Sequence, residues 1–157
     1  MKSTREFTTF PDGRFFTFEY IYDESGRPLQ MIFDNGAGFN QVYNYVLSLQ
    51  GDVQEIRCAA SGAVVARYLY NAWGYLIEAY GWMAEFNPLR YRGKYYESAL
   101  GMYYLQTRFY DPWIGRFLNA DEFVSTGQGL LGFNMFAYCL NNPVNMVDQD
   151  GRIWDFY

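Results

Sequence analysis

Glycines recur through the first half of the chain at Gly26, Gly38, Gly51, Gly62 and Gly74, with successive separations of 12, 13, 11 and 12 residues. A period of about a dozen leaves room for one strand and one turn per unit and for little else. The residues between the glycines agree with that reading. Phe16, Phe18, Tyr20 and Tyr22 alternate with Thr17, Glu19, Ile21 and Asp23, and Tyr43, Tyr45, Leu47 and Leu49 repeat the alternation, as do Val64, Ala66, Tyr68 and Tyr70. A period of two marks strands with one buried face. Asp23-Glu24-Ser25-Gly26, Gln50-Gly51-Asp52 and Asn71-Ala72-Trp73-Gly74 supply the turns. The expected fold is therefore mainly β, an antiparallel strip of hairpins.

Two of the units superpose when 48 is added to the residue number: Tyr20, Tyr22, Asp23 and Gly26 fall on Tyr68, Tyr70, Asn71 and Gly74. The shared pattern is Tyr-x-Tyr-[Asp/Asn]-x-x-Gly. Its two tyrosines share a face, its Asp or Asn can bond the turn backbone, and its Gly takes the positive φ that closes the hairpin.

Composition narrows the function. The 157 residues include 16 Tyr, 14 Phe and 4 Trp, side chains that suit half-buried pleated surfaces, in a length that supports one domain with a substantial core. The net charge of −5 has the wrong sign for a general phosphate-binding surface and argues against nucleic acid as a partner. Histidine is absent, which removes Ser-His-Asp and Cys-His catalysis and leaves carboxylates to do any acid–base work. Cys58 and Cys139 are far apart and read as small core residues, with neither a zinc site nor a redox pair indicated. No stretch approaches the run of about 20 apolar residues that spans a membrane, and MKSTREFTTF lacks the apolar segment of a signal peptide.

The Tyr-Asp hairpins resemble the YD repeats of the Rhs family. The segment YRGKYYESALGMYYLQTRFYDPWIGRFLNAD, Tyr91 to Asp121, is similar to the Rhs repeat-associated core domain, and NMFAYCLNNPVNMVDQDG, Asn134 to Gly151, is similar to the last part of the same domain. The resemblance divides the chain into an N-terminal segment (1–15), YD-type hairpins (16–90), the core domain (91–151) and a vestigial tail (152–157). It implies a β strip that coils into a shell around a C-terminal toxin, with this chain matching the terminal part. The implied partners are other Rhs shell segments or a toxin, and the first strand, Phe15 to Tyr22, is the expected exposed edge for self-association. It also implies a bacterial protein that is cytoplasmic before export and is secreted without a signal peptide.

The same resemblance implies an aspartic autoprotease that frees the toxin inside the shell. Two carboxylates would share a proton, one activating water while the other protonates the scissile carbonyl. Asp121 and Asp148 stand where the family's two Asp-Pro-x-Gly-Leu motifs begin, although Glu122-Phe123 follows the first, and Asp148-Gln149-Asp150-Gly151-Arg152 lacks the Pro and the final Leu. The implied cut lies between Arg152 and Ile153. Arg116 is a candidate to orient one carboxylate, or else a solvated or cross-strand paired side chain. Asp111-Pro112 ends a strand, and Trp113 is expected to pack over the turn.

Other motifs carry less. Asp148-Gln149-Asp150-Gly151 begins like a calcium loop, but Ile153 stands where an EF-hand needs Gly. Gly127-Gln128-Gly129-Leu130-Leu131-Gly132 has neither the strand-to-helix context nor the Lys of a phosphate cradle. No metal or cofactor is indicated. A short helix is expected near Asn134 to Leu140, stopped before Pro143. Two further readings stand beside the shell: a carbohydrate-binding module using Tyr75, Trp82 and Trp113, and a folded remnant without activity.

Overall fold

The fold is known from a computed structural model, which describes residues 2–9, 15–120, 134–152 and 154–156. The chain divides into two compact units, Met1–Leu69 with Glu78–Gly93, and Tyr70–Ile77 with Lys94–Tyr157.

The glycine period becomes a seven-stranded meander. Strands β1 (Lys2–Thr9), β2 (Phe15–Tyr22), β3 (Pro28–Asp34), β4 (Asn40–Leu47), β5 (Val53–Cys58), β6 (Val64–Tyr70) and β7 (Leu76–Tyr80) lie side by side in chain order. Three of the turns use one device. Asp23 O accepts from Gly26 N and Asp23 Oδ1 from Arg27 N; Ser48 O accepts from Gly51 N and Ser48 Oγ from Asp52 N; Asn71 O accepts from Gly74 N and Asn71 Oδ1 from Tyr75 N. Gly26 and Gly74 have φ of 78° and 80°, so the 48-residue correspondence in sequence is also one of backbone conformation.

One face of the first unit is buried. Tyr20, Met31 and Tyr43 align across β2, β3 and β4, and Tyr45, Ile56 and Ala66 across β4, β5 and β6. Burying such a side chain contributes on the order of 2 kcal/mol. The lid is the segment from Gly81 to Gly93, where Met83, Ala84, Leu89 and Tyr91 are buried. At its centre is Asn87, fully buried: Oδ1 accepts from Tyr45 Oη at 2.7 Å, and Nδ2 donates to Tyr68 Oη at 3.2 Å and Leu89 O at 2.5 Å. The opposite face is charged, with Glu55 bonded to both Arg57 and Arg67 and Arg5 to Glu19.

Two expectations need correction here. Phe15–Tyr22 is not the sheet edge, because β1 pairs with it along its whole length, from Lys2↔Tyr22 to Thr9↔Phe15. The edge strand on that side is β1, whose polar sequence gives no hydrophobic period to detect. Cys58 is only partly buried, although Cys139 is a core residue as expected; no disulfide joins them.

The second unit contains a four-stranded sheet of β8 (Tyr95–Glu97), β9 (Met102–Leu105), β10 (Arg108–Asp111) and β11 (Arg116–Phe117), and a hairpin of β12 (Met146–Asp148) with β13 (Trp154–Phe156). An aromatic ladder runs through it: Tyr96–Tyr103, Tyr103–Tyr110, Tyr110–Phe117 and Tyr110–Tyr138 have ring centroids 5.0, 6.4, 5.8 and 4.1 Å apart. Two of its hydroxyls donate to the hairpin tip between β6 and β7, Tyr103 to Gly74 O and Tyr110 to Trp73 O. Asp111 ends β10 as expected, its Oδ1 accepting from Trp113 N at 2.8 Å, but Trp113 points outward and is 75% exposed. The expected helix over Asn134 to Leu140 does not form. Phe136 O accepts from Phe117 N and Ala137 bridges Arg116, so this backbone is bound to the sheet, and the helical turn that follows, Cys139–Asn141, has positive φ at all three residues. Tyr138 anchors the segment against Tyr110. Among the described residues no helix is long and apolar enough to cross a membrane.

Candidate functional site

The β12–β13 hairpin repeats the turn chemistry of the first unit in a different setting. Asp148 Oδ1 accepts from Gly151 N at 2.7 Å and Arg152 N at 3.1 Å, three and four residues on. Gly151 has φ of 78°, and a Cβ there would lie 2.6 Å from Leu105 O. The chain can turn this close to β9 only with glycine.

Unlike the other turn acceptors, Asp148 is only 2% exposed and faces a cation: its Oδ2 lies 3.3 Å from an Nη of Arg108. Arg108 enters from β10 on the same side as Tyr110. Its guanidinium lies over the Phe117 ring with Cζ 3.6 Å from the centroid, donates through Nε to Gly151 O, and donates through the other Nη to Met135 O at 3.1 Å. Two other side chains fix the rest of the turn. Lys94 Nζ donates to Gln149 O at 2.7 Å, and Thr107 Oγ1 lies 2.9 Å from both Asp150 O and Gly151 O. Gln149, Asp150, Gly151 and Arg152 thus all have backbone groups held by side chains.

Burial pushes the Asp148 carboxyl above the usual aspartate range, and the Asp150 charge adds to this. The Gly151 and Arg152 N–H groups and the Arg108 charge pull it back without reversing it. Burial lowers Lys94 in turn, opposed by the charges of Asp148 and Asp150. The arrangement is a buried carboxyl that faces a guanidinium and accepts a backbone N–H next to the expected cut.

Of the residues expected from sequence, Asp148 occupies this turn and Arg152 supplies one of its N–H groups. Arg116 does not face Asp148: its side chain is exposed and its register partner is Asp111. The guanidinium at Asp148 is that of Arg108. Asp121 and Ile153 lie outside the described residues, as does the glycine-rich stretch Gly127 to Gly132. Arg108, Thr107 and Lys94 were missed from sequence. The signal for Arg108 was its spacing: two residues before Tyr110, it falls on the buried face of an aromatic strand, where a guanidinium needs an acid nearby. Among the described residues no group of three or more His, Cys, Asp or Glu side chains gathers to hold a metal.

No protein-family model matches the chain. Over 141 residues, 88% of its length, it is 38% identical to the tRNA3(Ser)-specific nuclease WapA of Bacillus spizizenii. Over 124 residues, 76% of its length, it is 34% identical to the double-stranded DNA deaminase toxin A of Burkholderia cenocepacia. The comparisons support an Rhs-related toxin family. The chain spans 6% and 8% of the length of these two proteins. Its fold agrees with the crystal structure of TcdB2-TccC3 without the hypervariable C-terminal region, at a TM-score of 0.79 and 23% identity, over 96% of this chain and 7% of that one.

Proposed function

We propose that this chain is the closing segment of an Rhs-type shell around a C-terminal toxin, and that the Asp148 turn is where the shell lets its cargo go. The observation that carries the reading is the Asp148 carboxyl: buried, facing Arg108 at 3.3 Å, and accepting from the N–H of Arg152. In this reading Asp121 is the ionised partner. It takes a proton from water as the water oxygen adds to the Arg152 carbonyl carbon, and the neutral carboxyl of Asp148 gives its proton to the Ile153 nitrogen as the C–N bond breaks. Arg108 and Lys94 keep the turn in place and balance the charge, with the exposed Arg116 having no part at Asp148.

A folded reporter joined after Tyr157 tests this. Release of reporter beginning at Ile153 is expected from the unmodified sequence, and none from Asp148→Asn or Asp121→Asn. Asp148→Asn keeps an oxygen to accept the turn N–H groups, so circular dichroism should show the β fold retained. An intact fusion from the unmodified, folded chain would overturn the cleavage reading, as would release that persists in both Asn variants.

A further inference from the structure

A second site lies in the second unit, away from the Asp148 turn. Three turns meet there: the hairpin tip after β6, the turn between β8 and β9, and the Asp111-Pro112 turn after β10. Between them is a cleft of about 410 Å³ whose walls include Tyr75, Tyr96, Leu100, Asp111, Pro112 and Trp113. Trp113 is 75% exposed and Tyr75 40% exposed, and their rings meet edge to face with centroids 5.1 Å apart and planes 64° apart. Two rings in that relation form a corner at the wall of the cleft.

We propose that this corner binds a quaternary ammonium group, with Trp113 and Tyr75 supplying aromatic faces and Asp111 the counter-charge. Rings set at a steep angle suit a compact cation, which touches both faces at once, whereas a sugar ring prefers a single flat platform. The carboxylate decides between a cationic ligand and a merely apolar one. Asp111 Oδ1 is committed to the turn, accepting from Trp113 N and Ile114 N. That work needs no charge, since Asn71 does it for Trp73 N and Tyr75 N, and Asn35 for Ala37 N and Phe39 N. Asp111 Oδ2 accepts no hydrogen bond from the described residues. Arg116 is its register partner across β10 and β11, yet no ion pair joins the two side chains. A negative charge with one free oxygen, set beside an exposed indole, is what an alkylated ammonium ion needs.

Choline and tetramethylammonium are the probes, titrated into the whole chain while the Trp113 indole N–H is followed by NMR. Saturable shifts in the millimolar range are expected, consistent with one or two cation–aromatic contacts and a single charge. Trp113→Ala should weaken binding about tenfold, and Asp111→Asn, which preserves the turn as Asn71 does, about fivefold. The neutral isostere 3,3-dimethylbutanol should bind at least about tenfold more weakly than choline. Phosphatidylcholine vesicles tell a lipid headgroup from a free cation: capture of the chain by vesicles, lost in Trp113→Ala, assigns the headgroup, and choline binding without capture assigns a soluble ligand. Equal binding of choline and its isostere would overturn the proposal in favour of an apolar slot. Binding of methyl glucoside tighter than choline would overturn it in favour of a sugar, and unshifted resonances would remove the site.

Discussion

Asp23 and Asp148 begin turns of the same kind, each followed three residues later by a glycine with φ of 78°, and each with an Oδ1 that accepts the N–H four residues on. The difference lies in what surrounds them. At Asp23 the turn projects from a meander and a Cβ on Gly26 would meet nothing within 4 Å, whereas at Asp148 the turn is pressed onto β9 and β10 and a guanidinium covers the carboxylate. A local motif thus fixes a backbone shape, and burial decides whether the acid within it is only a cap or also a group with altered chemistry.

The largest expected break in this comparison comes from the two arginines. Arg108→Met leaves Asp148 buried without its cation and should destabilise the second unit by about 3 kcal/mol or more, whereas Arg116→Met, at an exposed site, should change stability by less than about 0.5 kcal/mol. Urea unfolding together with amide exchange at Met146 and Gly151 measures both, and similar losses from the two variants would mean that the buried pair has no special weight.

Next in size is the glycine pair. Gly26→Ala suffers only backbone strain, about 1 kcal/mol. Gly151→Ala adds a collision with Leu105 O and Thr107 Oγ1 and should cost at least about 2 kcal/mol, read from the same unfolding curves. Equal costs would show that β9 gives way easily.

The smallest effect sharpens the comparison through pH. Because the folded state raises the Asp148 pKa, this group favours folding below the ordinary aspartate range, and that contribution is lost as pH rises through the raised value. Asp148→Asn, fixed in a neutral form, should remove that part of the pH dependence. A stability profile with the same slope in the Asn variant would place the titration elsewhere, Glu6 being the next candidate because burial raises it too.

The meander was legible because glycine spacing and aromatic alternation are both local. Strand β1 was not, since Lys2 to Thr9 has little apolar period and is held by backbone pairing and polar contacts such as Arg5 with Glu19. The helix expected near Asn134 failed for a related reason: Phe136 and Ala137 bond to β11, a partner that no window of sequence around them contains. At the candidate site, Asp148 could be singled out from sequence because it opens a recognisable motif. Thr107 and Lys94 could not, because they reach the turn from 44 and 55 positions earlier in the chain, and the spacing that puts Arg108 on a buried face did not name its partner 40 positions on.

A strip of near-identical hairpins has an addressing problem. Sliding by one hairpin puts tyrosine where tyrosine was and turn where turn was, so hydrophobic burial alone barely separates the true alignment from its neighbours. Asn87 breaks that degeneracy. Its amide oxygen accepts a hydrogen bond from Tyr45 and its amide nitrogen donates one to Tyr68, and a slipped strip would leave these buried groups without partners, at about 1–3 kcal/mol for each. One amide can therefore act as a frame marker for the meander, proofreading which hairpin has arrived beneath the lid and letting the repeats stay alike without becoming interchangeable.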